Sequence, residues 1–346
     1  MQNKIAVIGA GGWGTALSII AQAAGNTVSL WARNPEKAKR LNAERENREY
    51  LPGITIPQEI TISSDLEEVI FGAKLVLFVV PAQALRKTLN TAAPFLSADQ
   101  ILFIASKGIE DKTLKLMSEV ARDVLPEEFH GQIGVLSGPN HAEEVGRQIP
   151  SATVVSATRH EVAAEAQGLL ISRHFRVYTN NDLTGVEVAG SMKNVIALAA
   201  GIADGLGFGD NTKAALMTRG LAEIARLGVS MGADPLTFSG LAGMGDLIAT
   251  CTSQHSRNAR AGRAIGGGKT LKEVLESTNM VVEGVYTTQA AYELGRRNNI
   301  ELPITAQVHA ILFEDKDPGQ AVIDLMERDA TREEESYILA SYILRG

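Results

Sequence analysis

The sequence predicts an α/β chain: a doubly wound, mostly parallel sheet in the first half and an all-α domain in the second. Three observations carry that prediction. An apolar run, Ile5-Ala6-Val7-Ile8, leads straight into a glycine-rich turn and an apolar helix. Short β-rich runs then alternate with helical stretches. After Asn180-Asn181-Asp182 the strands stop, and helix-length segments follow one another.

Taken in order, the run 5–8 is followed by Gly9-Ala10-Gly11-Gly12-Trp13-Gly14, a GxGxxG turn, then by a helix over 16–24 and a strand over 27–31. That order gives the glycines chemical meaning. Gly9 permits the tight strand-to-helix turn, Gly11 lets bare backbone approach a pyrophosphate, and Gly14 lets the helix pack on the sheet. Unpaired amides at the helix N-terminus face the anion. A Rossmann-like dinucleotide site is therefore expected. A second strand that serves NAD usually ends in Asp or Glu, which accepts from the ribose 2'-hydroxyl. Here Trp31-Ala32-Arg33-Asn34 offers a guanidinium and an amide where a 2'-phosphate would lie. This favours NADPH/NADP, with NADH/NAD still open; a solvated loop arginine is the alternative for Arg33.

Further strands are predicted at 61–63, 75–80, 101–105, 133–136, 152–156 and 175–178. A boundary near Asn180, where Asn181 or Asp182 can cap the first long helix, divides the chain into a dinucleotide-binding domain, 1–180, and a helical domain, 181–346. Helices are predicted at 183–203, 212–230, 271–277 and 284–298. Asp234-Pro235 reads as an N-cap with proline at the first helical position, and the glycines 266–268 as a loop.

A chain of 346 residues, 45% hydrophobic and 21% charged, fits two globular domains. Its net charge of −7 argues against nucleic-acid or anionic-membrane binding, which rest on clustered Lys and Arg. Any phosphate must be held by a few local cations. The single cysteine, Cys251, cannot form an internal disulfide and reads as a packing residue. Lys4 is followed at once by the strand and its glycine loop, so neither a cleavable signal nor a spanning segment is recognised. A cytoplasmic protein without membrane insertion is expected. The histidines lack ligand spacing and acidic pairs such as Glu143-Glu144 read as solvent-facing, so no metal is expected.

In doubly wound sheets ligands bind outside the carboxyl ends of the strands. Candidate turns are Pro81-Ala82-Gln83, Ser106-Lys107-Gly108 and Ser137-Gly138-Pro139-Asn140. Lys107 suits a contact to nicotinamide or to an anionic substrate, and equally a solvated strand end. Lys193 carries more information, because Val186, Ala189, Gly190, Ile196, Ala197 and Ala200, its helical neighbours, are all small or apolar. Such an ammonium either snorkels to water or is held at a cleft as a proton donor, and the small neighbours favour the second. Asn194 beside it can orient a hydroxyl or carbonyl. In the stretch 239–246 glycines permit close approach, and Asp246 and Thr250 lie four apart on one helix face. Ser256-Arg257-Asn258 reads as a helix start with donors suited to a phosphate; a glycine-rich packing seam with an exposed basic turn is the alternative. Val281 and Glu283 precede a helix and are read as approaching the cofactor, though a first-turn helix acid explains Glu283 nearly as well.

Together, GAGGWGT at 9–15, LWARN at 30–34, SKG at 106–108, SGPNHAEE at 137–144, VAGSMKN at 188–194, GLAGMGD at 240–246 and SRN at 256–258 resemble the bacterial NAD(P)-dependent glycerol-3-phosphate dehydrogenase family across nearly the whole chain. The resemblance implies reversible reduction of dihydroxyacetone phosphate to sn-glycerol 3-phosphate for phospholipid synthesis, in a cytoplasmic homodimer. It also implies a helical domain of the 6-phosphogluconate-dehydrogenase-like type. Residue by residue, it implies Lys193 as the catalytic proton donor, held by Asp246, and Lys107 as a contact to both cofactor and substrate. Gly138 and Asn140 would line the substrate site, and Ser256, Arg257 and Asn258 would grip the phosphate. Gly12, Trp13, Arg33, Ala142, Arg257, Val281 and Glu283 would touch the cofactor. Many members have Ser or Thr where this chain has Asn140, whose amide still hydrogen-bonds. The competing expectations are a related NADP-dependent β-hydroxy or keto-acid dehydrogenase and a non-catalytic NADPH sensor.

Overall fold

The strand β1 (Lys4–Ile8) is buried along almost its whole length, and so are β6 (Leu75–Phe78) and β7 (Ile101–Ile104), as expected of parallel strands covered on both faces. The computed structural model in which they lie describes residues 2–278 and 280–329. The other strands are β2 (Thr27–Trp31), β3 (Glu46–Asn47), β4 (Leu51–Thr55), β5 (Thr61–Ser63), β8 (Ile133–Ser137), β9 (Ser151–Ala157) and β10 (Phe175–Asn180). Eight of them form one sheet in the order β10-β9-β8-β7-β6-β1-β2-β5, parallel throughout except where β8 meets β9. Ile5 pairs with Val28 on one side and Leu75 on the other, so the strand order turns at β1. That switch point is where a doubly wound sheet opens a crevice for ligand.

All eight predicted strands are present in this sheet. The β3–β4 hairpin is not predicted, because its first strand has two residues and its second contains Pro52 and Gly53, which break the strand pattern. The helix α1 (Gly12–Ala23) returns from β1, and α2 (Pro35–Glu44) follows β2. Ile5, Val7, Leu17, Ile20, Leu30, Leu77 and Phe103 anchor the core of this unit.

The described chain separates into two compact units. One ends at Lys107 and resumes over Met117–Leu183; the other holds Gly108–Leu116 and the chain from Thr184 onward. The expectation of a single cut near Asn180 thus omits a nine-residue excursion, whose Ile109, Leu114 and Leu116 join the helical core. Among the described residues that second unit is built on the helices Leu183–Gly205 and Asp210–Ser230, with Asp246–Thr252, Arg257–Gly266, Leu271–Glu276, Glu283–Arg297, Pro303–Phe313 and Pro318–Met326 around them. Leu183–Gly205 is long and apolar enough to cross a membrane by length and composition, a property the sequence reading missed. Its apolar window is wholly buried inside the unit, as in a core helix. A Cβ at Gly201 would strike the Ala259 carbonyl, and one at Gly262 the Leu198 carbonyl. Glycine therefore lets two helices approach backbone to backbone, which sets Asn258 against Asn194. Gly266, expected in a loop, is the last residue of its helix; the turn begins at Gly267.

Candidate functional site

In the sheet unit the glycine loop has the geometry a dinucleotide requires. Gly9 adopts φ +126°, and a Cβ there would meet the Val79 carbonyl. A Cβ on Gly14 would collide with the carbonyl of Gly9, while one on Gly11 would meet no atom within 4 Å. Gly11 therefore presents bare backbone to open space. Its helix, α1, has no side-chain cap, which leaves first-turn amides to face an anion. The indole Nε1 of Trp13 is buried without a hydrogen-bond partner. Ala142 stands beside Gly12: a Cβ built on the glycine would lie 3.7 Å from that of Ala142. These features fit a pyrophosphate dinucleotide.

Asn47, a residue the sequence reading did not single out, completes the loop. It is 1% exposed, and its Nδ2 donates to the Ala10 carbonyl at 3.2 Å and to Thr15 Oγ1 at 2.8 Å. The amide thereby ties up a carbonyl in the middle of the phosphate loop, away from any anion. No sequence signal marks it, because it lies in the unpredicted hairpin.

At the end of β2, Arg33 is exposed, and residues 31–35 hold no carboxylate. Asn34 has a local task as well. Its Oδ1 accepts from the amides of Glu36 at 2.8 Å and Lys37 at 3.2 Å, so its side-chain oxygen caps α2.

Beyond β7 and β8 lies a second cluster. Lys107 Nζ donates to the Gly138 carbonyl at 2.9 Å, and the Asn140 amide donates to the same oxygen at 2.8 Å. Gly138 adopts φ +143°, which favours glycine, and a Cβ there would also crowd Thr153 Cα at 3.1 Å. Asn140 Nδ2 donates to the Ala152 carbonyl at 2.8 Å, and its Oδ1 is buried without a partner. Lys107, Gly138 and Asn140 are thus brought together.

In the helical unit Lys193 is 7% exposed, so it does not snorkel. Its ammonium donates to the carboxylate of Asp246, itself 1% exposed, and to Thr250 Oγ1 at 2.9 Å. Asp246 and Thr250 share a helix face as their spacing implies, and the Thr250 hydroxyl also reaches the Asp246 carbonyl oxygen at 2.6 Å. The buried charge is therefore paired and hydrogen-bonded. Beside it, Asn258 Nδ2 donates to Asn194 Oδ1 at 2.8 Å, while Asn258 Oδ1 accepts from the Gly284 amide at 3.0 Å. Ser256 caps Arg257–Gly266, its Oγ accepting from the Ala259 amide at 3.2 Å. Arg257 is exposed, and its Nη1 donates to the Val281 carbonyl at 3.0 Å. Glu283 begins the helix Glu283–Arg297. Cys251, in the same region, is 2% exposed, and burial pushes its thiol up to about 12. It is an inert packing group. Among the described residues no three His, Cys, Asp or Glu side chains gather as a metal site would need.

The sheet unit can hold a dinucleotide, and the helical unit holds a desolvated, carboxylate-paired ammonium among amide and hydroxyl donors. That second set suits proton transfer to an oxygen of a small anionic substrate. Comparison with known proteins identifies the family of both units. Residues 4–163 match the family model for the NAD-dependent glycerol-3-phosphate dehydrogenase N-terminus, and 182–323 match its C-terminus. A glycerol-3-phosphate dehydrogenase [NAD(P)+] from Pelotomaculum thermopropionicum is 52% identical over 341 residues, 99% of this chain and 98% of the relative. One from Bacillus velezensis is 50% identical over 97% of each chain. Among solved structures, glycerol-3-phosphate dehydrogenase from Coxiella burnetii superposes with a TM-score of 0.89 at 39% identity, covering 94% of this chain and 99% of the other. A ketopantoate reductase from Ralstonia eutropha, at 16% identity and a TM-score of 0.60 over 93% of this chain and all of its own, shares the fold alone. The chain belongs to the NAD-dependent glycerol-3-phosphate dehydrogenase family.

Proposed function

We propose that this oxidoreductase reversibly reduces dihydroxyacetone phosphate to sn-glycerol 3-phosphate, with NADPH as the main cofactor and NADH as a second, and so supplies the backbone of glycerophospholipids. The observation that carries the reading is the buried Lys193 ammonium locked to Asp246 and Thr250. The reduced nicotinamide, when bound, supplies a hydride to the ketone carbon. Negative charge then develops on the ketone oxygen, and Lys193 delivers the proton that completes the alcohol. In the reverse direction the same amine takes that proton back. Asp246 keeps the lysine charged and aimed, and Thr250 fixes it from the side.

The phosphate is gripped by Arg257, Ser256 and Asn258. Ser256 can still donate its O–H while its oxygen caps the helix, because a hydroxyl is donor and acceptor at once. With the Asn194 oxygen taken by Asn258, its Nδ2 is the group turned to substrate. Lys107 and Asn140 add contacts to substrate, with the lysine reaching the cofactor too, and Gly138 keeps their turn narrow. Gly9, Gly11, Gly12, Trp13, Gly14, Ala142 and Arg33 hold the nucleotide, with Arg257, Val281 and Glu283 assigned as further cofactor contacts. The enzyme works as a cytoplasmic homodimer without membrane insertion; light scattering and cell fractionation test those two points.

The direct test mixes purified protein with dihydroxyacetone phosphate and either reduced nicotinamide cofactor and follows the loss of absorbance. Ketopantoate and a phosphosugar acid serve as rival substrates. Faster turnover of either carboxylate would transfer the assignment to the keto-acid dehydrogenases, and binding of NADPH without turnover of any substrate would leave a sensor.

A further inference from the structure

Lys37 lies in the first turn of α2, just past the end of β2, where a cation opposes the helix dipole. Its side chain is nevertheless only 18% exposed. The ammonium sits 3.9 Å from the centre of the Tyr50 ring and 3.9 Å from Glu49 Oε2. Burial lowers its pKa from the ordinary lysine value, with Glu49 opposing that shift and Arg40 adding to it. Glu49 is shared, because Arg40 also reaches it at 3.4 Å. Glu36, the nearest other acid on this helix, pairs with Lys39 at 3.0 Å. Lys37 and Arg40 thus share the single Glu49 carboxylate, and Arg33 stands at the start of the same strand-to-helix turn.

This cationic corner adjoins the nucleotide loop. The main-chain oxygen of Tyr50 is the atom that a Cβ on Gly12 would strike at 2.6 Å, so the ring under Lys37 is carried by chain lying on the phosphate turn. The first amides of α2 are already used by Asn34. An anion arriving here is met by side-chain cations.

We propose that Lys37, steadied on the face of Tyr50, is a second reader of the ribose 2'-phosphate beside Arg33 and so sets the preference for NADP(H) over NAD(H). The proposal rests on the cofactor reading given above and adds a specificity-determining residue to it. A charge-assisted contact of this kind is worth about tenfold in affinity at a partly exposed site.

The test is calorimetric binding of NADPH and NADH to wild-type protein and to Lys37→Met, which keeps the buried stem and removes the charge, with Lys37→Arg as the rescue. Expected is about a tenfold weaker Kd for NADPH in Lys37→Met, an NADH affinity within about twofold of wild type, and recovery of NADPH binding in Lys37→Arg. Equal weakening of both nucleotides would mark Lys37 as mere support for the loop and overturn the proposal, as would an unchanged NADPH affinity. Failure of the wild-type protein to bind either nucleotide would instead defeat the cofactor reading itself.

Discussion

Replacing Lys193 by methionine separates the two things the Lys193–Asp246 pair does. The side chain keeps its length and packing, but the Asp246 carboxylate, 1% exposed, loses the cation it is bonded to. Removing one partner of a buried ion pair costs about 3–5 kcal/mol, out of a total stability of about 5–15 kcal/mol. The variant should therefore fold, with a clearly lower unfolding midpoint. Loss of a positioned proton donor slows catalysis by about 10²–10⁴, which is roughly 3–5 kcal/mol of barrier. The double variant Lys193→Met/Asp246→Asn has no bare charge left to bury, so it should regain most of the stability and remain as slow. Urea unfolding and steady-state oxidation of NADPH by dihydroxyacetone phosphate read the two effects independently. If Lys193→Met turned over at near wild-type rate while folded, or if the double variant regained activity along with stability, the role given to this amine would be wrong.

Other predictions concern the supporting structure. Asn47→Ala removes the two hydrogen bonds that hold Ala10 and Thr15; it should weaken NADPH binding about tenfold and leave kcat close to wild type, and unchanged affinity in a titration would reduce Asn47 to a structural part. Glu223 is 2% exposed and accepts from the amides of Ile304 and Thr305; burial raises its pKa from 4.5 to about 7 despite those bonds. Since the folded value lies above the unfolded one, its neutral form stabilises the fold: roughly 3 kcal/mol is present below about pH 4.5 and is lost as pH rises through about 7. The unfolding midpoint of wild type should accordingly fall against that of Glu223→Gln between about pH 5 and about pH 7.5, and a constant gap would contradict the assignment. Cys251 should resist thiol reagents in the native protein and react only on unfolding; rapid stoichiometric labelling of folded enzyme would show that its burial is misjudged.

What could be read from the sequence follows the range over which the responsible forces act. Strands buried on both faces are continuous β-branched runs, so the sheet could be found from local pattern, and the GxGxxG turn is local by nature. The apolar face around Lys193 was also visible, as a helical period. Its pairing with Asp246 came only from the family resemblance and not from local pattern, since Asp246 is 53 residues away and only packing brings it near. Asn34 shows the opposite failure: a residue read as a ligand donor is spent, in part, on the local task of capping. Asn47 and Lys37 escaped notice because the hairpin that gives them meaning is too short and too interrupted to announce itself. The excursion 108–116 joins the helical core by contacts that leave no periodic trace.

The most direct test of the whole account is transfer of deuterium from reduced nicotinamide labelled at its transferable position to dihydroxyacetone phosphate on the purified protein. The account predicts sn-glycerol 3-phosphate carrying the label on its central carbon. Cofactor consumption with the label absent from that carbon, or no consumption with this ketone at all, would contradict it.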